Sequence, residues 1–331
     1  MDLTTSYLGL ELKSPLVASA SPLNSKLDNL KLLQDYGAGA VVLPSVFEEQ
    51  IVAEQALIDD LVDSGAESYG EALSYFPAQT SYAFDTFRHL AFIEDATTAL
   101  EIPVIGSLNG VTHSGWVDYA HDIESAGAQA LELNIYFIPS NPAVSGGDVE
   151  QRYLDIVHAV TSAVNIPVAV KIGPYFSSPG NMAVKLVEVG AKGLVLFNRF
   201  YQPDIDPLKL SVETSLDLSH PYEMRLPLLW IGVLAGRINA SLAATTGVES
   251  AEDVVKYLLA GADVVMTTSS LLRNGLSHMQ ALSSGLEDWL GSLGLNSPDD
   301  IRGKLSHGNM DNPEAYERAN YIKTLQDFGT S

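Results

Sequence analysis

Four times along the chain, apolar residues at three- and four-residue spacing end in Gly-Ala and give way to an unbroken apolar run. The four junctions are YGAGAVVLPS (36–45), AGAQALELN (126–134), VGAKGLVLFN (189–198) and AGADVVMTTS (260–269). Glycine after a helix suits a left-handed cap, and a β-branched run behind it suits a buried parallel strand. Two more runs open with Ile-Pro, IPVIGSLNG (102–110) and IPVAVKIGP (166–174). Proline is tolerated at the first residue of a strand, where no essential ladder donor is lost. Ile102 and Ile166 stand 64 residues apart, and Gly127 and Gly190 stand 63 apart. Either interval is two βα units of about 32 residues. With PLVASASP (15–22) and NASLAATTG (239–247), the strand candidates number eight.

The segments between them, such as LDNLKLLQDYG, DVEQRYLDIVHAV and SAEDVVKYLLAG, carry the periodicity of amphipathic helices. Ser250 and Asp253 form a capping box for the last. Eight alternating units predict a (β/α)8 TIM barrel of the α/β class; an open doubly wound sheet would need a GxGxxG turn after the first strand, which is absent. A single domain over 1–295 is expected, with an insertion at about 60–84 after strand two and a long connection at about 199–225 after strand six. Residues 296–331 are expected to form a C-terminal helical extension, with capped starts at NSPDD and DNPEA.

Composition narrows the partners. A net charge of -23 disfavours nucleic acid and anionic membranes, which are bound through basic patches. Any phosphate must be held by local donors against that field. Zero cysteines exclude disulfides, thiolate metal sites and a catalytic thiol, and no metal site is expected. There is no apolar run long enough to span a membrane and no signal-peptide pattern, so a cytoplasmic protein is expected.

Active sites on such barrels gather at the C-terminal ends of the strands. Those ends carry Ser19, Ala20 and Ser21; Pro44 and Ser45; Ser107, Asn109 and Gly110; Asn134; Lys171; Asn198 and Arg199; Thr245, Thr246 and Gly247; and Thr267, Thr268 and Ser269. Lys171 is the one charge in IPVAVKIGP, and the strand ends offer it asparagines and hydroxyls rather than a carboxylate. Its ammonium therefore either enters a structural ion pair or serves an anion or electron-rich ring at the mouth. TTGVESAED and TTSSLL place hydroxyls, a glycine and a helix N-terminus after strands seven and eight, positions that often hold phosphate in this fold. Three amides, Asn109, Asn134 and Asn198, would suit a flat heterocycle.

These residues resemble the dihydroorotate dehydrogenase family of flavin-dependent barrels over roughly residues 5 to 295. SPLVASASP, LELN, VAVKIGPYF, VLFN and ATTGVESAEDVVKYLLAGADVVMTTSSLL carry the resemblance; VLFNRFYQPDID and PEAYERANYIKTLQ are similar to a dihydroorotate dehydrogenase-like subgroup. The resemblance implies FMN across the mouth. Ala20 and Ser21 would approach the ring, with Ser45 beside the site. Asn109, Asn134, Lys171 and Asn198 would contact the ring, Lys171 stabilising negative charge on it. Thr246, Gly247, Thr268 and Ser269 would hold the phosphate. It further implies a small-molecule substrate in pyrimidine-type metabolism and a homodimer; the tail helices expected at 297–328 are a candidate for its contact.

One departure bears on chemistry. The family carries Cys or Ser as its base in the strand-four loop, where this chain reads NIYFIPSNP; the position falls on Phe137, or on Ile138 with one insertion. Neither side chain accepts a proton. Tyr136, Ser140 and His113 are the remaining candidates for proton transfer. Two readings follow: an FMN-dependent oxidoreductase with an altered substrate or base, and a non-catalytic FMN-binding homologue acting as a structural or partner protein. A barrel enzyme using Lys171 as a Schiff-base nucleophile is a third.

Overall fold

The apolar runs become eight short strands: β1 (Leu16–Ala18), β2 (Ala40–Val42), β3 (Val104–Asn109), β4 (Ala130–Asn134), β5 (Val168–Ile172), β6 (Gly193–Leu196), β7 (Ser241–Ala244) and β8 (Val264–Thr267). They are seen in a computed structural model that describes residues 1–51, 86–110, 116–199, 203–213 and 217–317. Each strand pairs in parallel with the next, and β8 pairs with β1, so the sheet closes. This is the expected (β/α)8 barrel. Among the described residues the strands alternate with the helices α1 (Leu27–Asp35), α2 (Thr86–Ala99), α3 (Trp116–Ser125), α4 (Gly146–Ala163), α5 (Pro179–Glu188), α6 (Arg225–Leu234), α7 (Ala251–Ala260) and α8 (His278–Ser292), and a short helix at Ser269–Asn274 stands between β8 and α8. The glycines that close the four sequence repeats all take positive φ, between 95° and 115°, the left-handed cap that lets a helix turn into the next strand. The capping box of α7 forms, with Asp253 N–H donating to Ser250 Oγ.

Strand alternation sorts side chains into two cores. Val17, Ala40, Val42, Ile105, Ala130, Ala169, Val195, Ala243, Val264 and Met266 pack inside the barrel. Their neighbours, such as Leu16, Val41, Val104, Leu131, Val170 and Leu194, pack outward under the helices. That parity settles which polar residues face inward: Ser107, Asn109, Glu132, Asn134 and Lys171 share the phase of the interior set.

The sequence pattern did not announce what closes the bottom. Thr5–Tyr7 and Leu10–Leu12 form an antiparallel hairpin, and Tyr7, Leu8 and Leu12 join the interior cluster as a plug. Leu8 N–H donates to Ser241 Oγ at 3.0 Å. Gly193 makes room for the plug, since a Cβ there would stand 2.5 Å from Leu8 Cδ2. Burying each leucine contributes about 1.5–3 kcal/mol.

The insertion at 60–84 lies outside the described residues. The connection after β6 contains a second hairpin, Asp204–Asp206 with Ser211–Glu213, and a single 3-10 turn at Pro221–Met224 leading into α6. Beyond α8, the capped starts at NSPDD and DNPEA each begin one 3-10 turn, Pro298–Asp300 and Pro313–Tyr316. This stretch is bound to the barrel, with Gly303 and Leu305 N–H donating to the carbonyls of Leu258 and Leu259 at 2.9 Å each. Among the described residues no helix is long and apolar enough to cross a membrane.

Candidate functional site

Register brings the expected polar set to one end of the barrel. Asn109 on β3 lies beside Asn134 on β4, which lies beside Lys171 on β5. The asparagines are nearly buried, and Asn198, just past β6, donates its amide N–H to Asn134 Oδ1 at 2.7 Å. Three amides and one ammonium thus share the mouth. Ser45 and Ser107 share a hydrogen bond of 2.7 Å at its β2–β3 rim.

Lys171 has a carboxylate partner after all, which corrects the expectation that the strands offer it only amides and hydroxyls. Glu132 stands two residues below Asn134 on β4, level with Ser107 and Ala169. Its Oε1 meets Lys171 Nζ at 3.2 Å, and its side chain is 1% exposed. Lys171 Nζ also donates to Ser19 Oγ at 3.5 Å. The pair runs along the barrel, carboxylate below and ammonium toward the mouth. With two of the three ammonium donors so used, one remains for a ligand. An amine held as an ion pair is a poor Schiff-base nucleophile, which counts against the third sequence reading. Beneath it, the buried Tyr7 hydroxyl and Glu132 Oε2 have no hydrogen-bond partner among the described residues. Burial first, then the Glu132 charge, pushes the Tyr7 phenol well above its ordinary range.

A cavity of about 130 Å³ opens between the ends of β6, β7 and β8, lined among others by Lys171, Asn198, Arg199, Gly247 and Ser269. It has room for a phosphate-sized group rather than a whole flavin. Ala20, Thr246 and Thr268 also line it, whereas Ser21 is buried beside it as the residue before a 3-10 turn.

The hydroxyls expected to hold phosphate are partly committed elsewhere. Thr246, at φ +83°, donates its hydroxyl to the Phe197 carbonyl at 3.2 Å, and Thr268 donates to the Ser19 carbonyl at 3.0 Å. Both fasten the strand ends together. Ser269 differs: its Oγ accepts from Ser219 N–H at 3.1 Å and Ser219 Oγ at 2.9 Å, leaving its own proton for the cavity. Gly247 N–H donates to Ser219 Oγ at 3.3 Å. A Cβ at Gly247 would come within 2.9 Å of the His220 carbonyl, so its φ of +76° and its packing both require glycine. The donors that line the cavity, the Asn198 amide, the Lys171 ammonium, the Ser269 hydroxyl and the Arg199 guanidinium, fit a phosphate group.

The β4 loop presents a different surface. Phe137 is half-buried against the outer core, its ring under the Arg152 guanidinium of α4 with 4.2 Å to the centroid. Tyr153, next on that helix, donates its hydroxyl to the Ile135 carbonyl at 3.3 Å, and burial pushes its phenol up to about 12. Ile138 and Ser140 are exposed, and Tyr136 is half-buried. His113 lies outside the described residues. Glu132, Arg199 and Ser219 were not among the expected site residues. Arg199 was visible, following Asn198 at a strand end; Glu132 stood inside the quoted LELN; Ser219 left no signal.

Comparison with known proteins gives this arrangement its place. The dihydroorotate dehydrogenase family model matches residues 79–290, a span running from before α2 into the last turn of α8. The chain is similar to an Aeropyrum pernix protein named "Putative dihydroorotate dehydrogenase A (fumarate)", at 29% identity over 315 residues, covering 91% of this chain and 97% of the relative. It is also similar to a protein of Thermoplasma acidophilum named "Dihydroorotate dehydrogenase B (NAD(+)), catalytic subunit", at 26% identity with 91% and 98% covered. A protein of the same name from Methanothermobacter thermautotrophicus is 23% identical, with 92% and 98% covered. A closed parallel barrel with amides and a lysine at its mouth, matched by that model over most of its length, leads to one conclusion: the chain belongs to the dihydroorotate dehydrogenase family.

Proposed function

We propose that the protein is an FMN-dependent oxidoreductase acting on a CH–CH bond of a small cyclic substrate in pyrimidine-type metabolism. The observation that carries this is the juxtaposition of Asn109, Asn134 and Lys171 by strand register, closed by the Asn198–Asn134 bond. Bound at the mouth, FMN would supply hydride exchange with the substrate. Asn109, Asn134 and Asn198 would hold the ring by its donors and acceptors. Lys171, steadied by Glu132 and Ser19, would favour the form of the ring that bears negative charge. The cavity between β6 and β8 would take the phosphate. A cytoplasmic homodimer is the assembly we infer; its proposed contact, 297–328, extends past the described residues.

Proton transfer is where the reading becomes specific. Phe137 leans on Arg152 rather than lining the cavity, and the half-buried Tyr136 is the nearest hydroxyl in sequence to Asn134. A phenol hydroxyl is a donor that can pass its proton to a substrate, so the loop is better provided with a proton donor than with a base. We therefore favour the direction in which the substrate double bond gains a hydride at one carbon and the Tyr136 proton at the other. Loss of a general base costs about 10²- to 10⁴-fold in rate, so dihydroorotate oxidation is expected to be slow. The second reading, a non-catalytic FMN-binding homologue, is favoured by the exposed Ile138 and Ser140 in that loop.

Anaerobic spectroscopy of the FMN-loaded protein tests both. Dihydroorotate should bleach the flavin over minutes or longer, while an unsaturated cyclic carbonyl compound should reoxidise the dithionite-reduced protein. Bleaching within seconds would restore dihydroorotate oxidation. Failure of every such acceptor would leave the non-catalytic reading.

A further inference from the structure

The phosphate end of the site has a difficulty that the family resemblance does not resolve. The hydroxyl protons of Thr246 and Thr268 are spent on carbonyls. The N-terminus of α7 is already answered by the chain's own carboxylate: Asp253 Oδ2 accepts from Glu249 N–H at 3.2 Å and Ser250 N–H at 3.0 Å. The chain as a whole carries a net charge of -23. A dianion entering this cavity needs a cation of its own.

Among the described residues two cationic side chains line the cavity, and Lys171 already faces Glu132. The other is Arg199, immediately after the ring-facing Asn198. Its Nε donates to Glu223 Oε1 at 2.8 Å, and one terminal nitrogen donates to the Asp217 carbonyl. With two of the five guanidinium N–H groups so used, three remain. The same short segment that holds Arg199 also holds the phosphate loops. Ser219 is bonded to Ser269 and Gly247, and its carbonyl accepts from Arg273 at 2.6 Å. The extended connection after β6 is thus fastened across the cavity, with its arginine in the wall.

We propose that Arg199 is the phosphate-recognition residue of this site, its guanidinium taking the terminal phosphate of a flavin mononucleotide. The proposal rests on the flavin reading above and adds the discrimination between FMN and riboflavin, which differ only by that phosphate. A planar guanidinium, oriented by Glu223 and Asp217, binds two phosphate oxygens in parallel, which a lysine cannot do.

The test is the ratio of affinities for FMN and riboflavin, measured by quenching of flavin fluorescence on the full chain. The parent protein should prefer FMN. Arg199→Met should lower FMN affinity about tenfold or more, since charge-assisted pairs are the strong ones, and leave riboflavin affinity within about twofold. Arg199→Lys, which keeps the charge opposite Glu223 and so guards against a folding defect, should lose about threefold for FMN and nothing for riboflavin. A parent protein that binds both flavins equally, or variants that lose both in equal measure, would overturn the assignment while leaving the flavin site standing. A parent that binds neither flavin would overturn the flavin reading itself, and this assignment with it.

Discussion

At the β6–β8 side of the mouth, Ser219, Ser269, Thr246 and Thr268 bond to one another or to strand-end carbonyls, and Arg199 is tied into the same segment. At the β2–β4 side, the strand ends carry Pro44, Ser45 and the loop from Ile135 to Ser140, where side chains either turn into the outer core, as Phe137 does, or stand exposed, as Ile138 does. The first side is a cross-braced pocket lined by donors; the second is a loop of half-buried and exposed side chains beside the outer core. The buried Glu132–Lys171 pair stitches the two sides together, joining β4 to β5 beneath the mouth.

Breaking that stitch should have the largest effect. Glu132→Ala leaves an ammonium without its partner in the barrel interior, and should cost about 3–5 kcal/mol in urea unfolding. Adding Lys171→Met to it should recover much of that loss, because two neutral groups carry no desolvation debt. If the single and double variants unfold alike, the pair is not what joins the sides.

That pair also marks the limit of what the sequence reveals. The eight βα units were legible because Gly-Ala caps and apolar runs are local signals, and the strand-end asparagines followed from where runs stop. Glu132 was printed in the same motif as Asn134, yet its partner is fixed by the register of β4 on β5, which no local pattern encodes. The bottom hairpin escaped notice because three-residue strands carry too little periodicity. The threonines stand at the ends of β7 and β8, but which carbonyls their protons would find is a tertiary fact.

The next largest effect concerns the β2–β4 side. His89 on α2 hydrogen-bonds the Tyr119 hydroxyl at 2.8 Å, and burial lowers its pKa from 6.5 to about 4. The folded protein therefore holds it neutral where the unfolded chain would protonate it. Its contribution to stability is whole above pH 6.5 and is lost as pH falls toward 4. Between pH 7 and pH 4.5 the loss from this group should be about 2–3 kcal/mol. Unfolding of His89→Gln should show a correspondingly shallower pH dependence; an unchanged slope would contradict this.

Phe137→Ala should separate the sides more finely. It removes a ring packed on Arg152 and the outer core, costing about 2 kcal/mol of stability, while FMN affinity stays within about twofold. A large loss of FMN affinity would place the ring over the cofactor instead. Smallest is Ser269→Ala, which strips Ser219 of its acceptor. Stability should fall by about 1 kcal/mol, with FMN affinity down about fivefold in fluorescence titration; no change in affinity would remove Ser269 from the pocket's donors.

The most direct measurement is a titration of the purified protein, stripped of any bound flavin, with FMN, followed by absorbance and fluorescence. One FMN per chain, with quenched emission and resolved flavin bands, is the predicted result, and Asn134→Leu should weaken it at least about tenfold. A protein that stays colourless and takes up no FMN under any reconstitution condition would contradict the assignment of the barrel mouth as a flavin site.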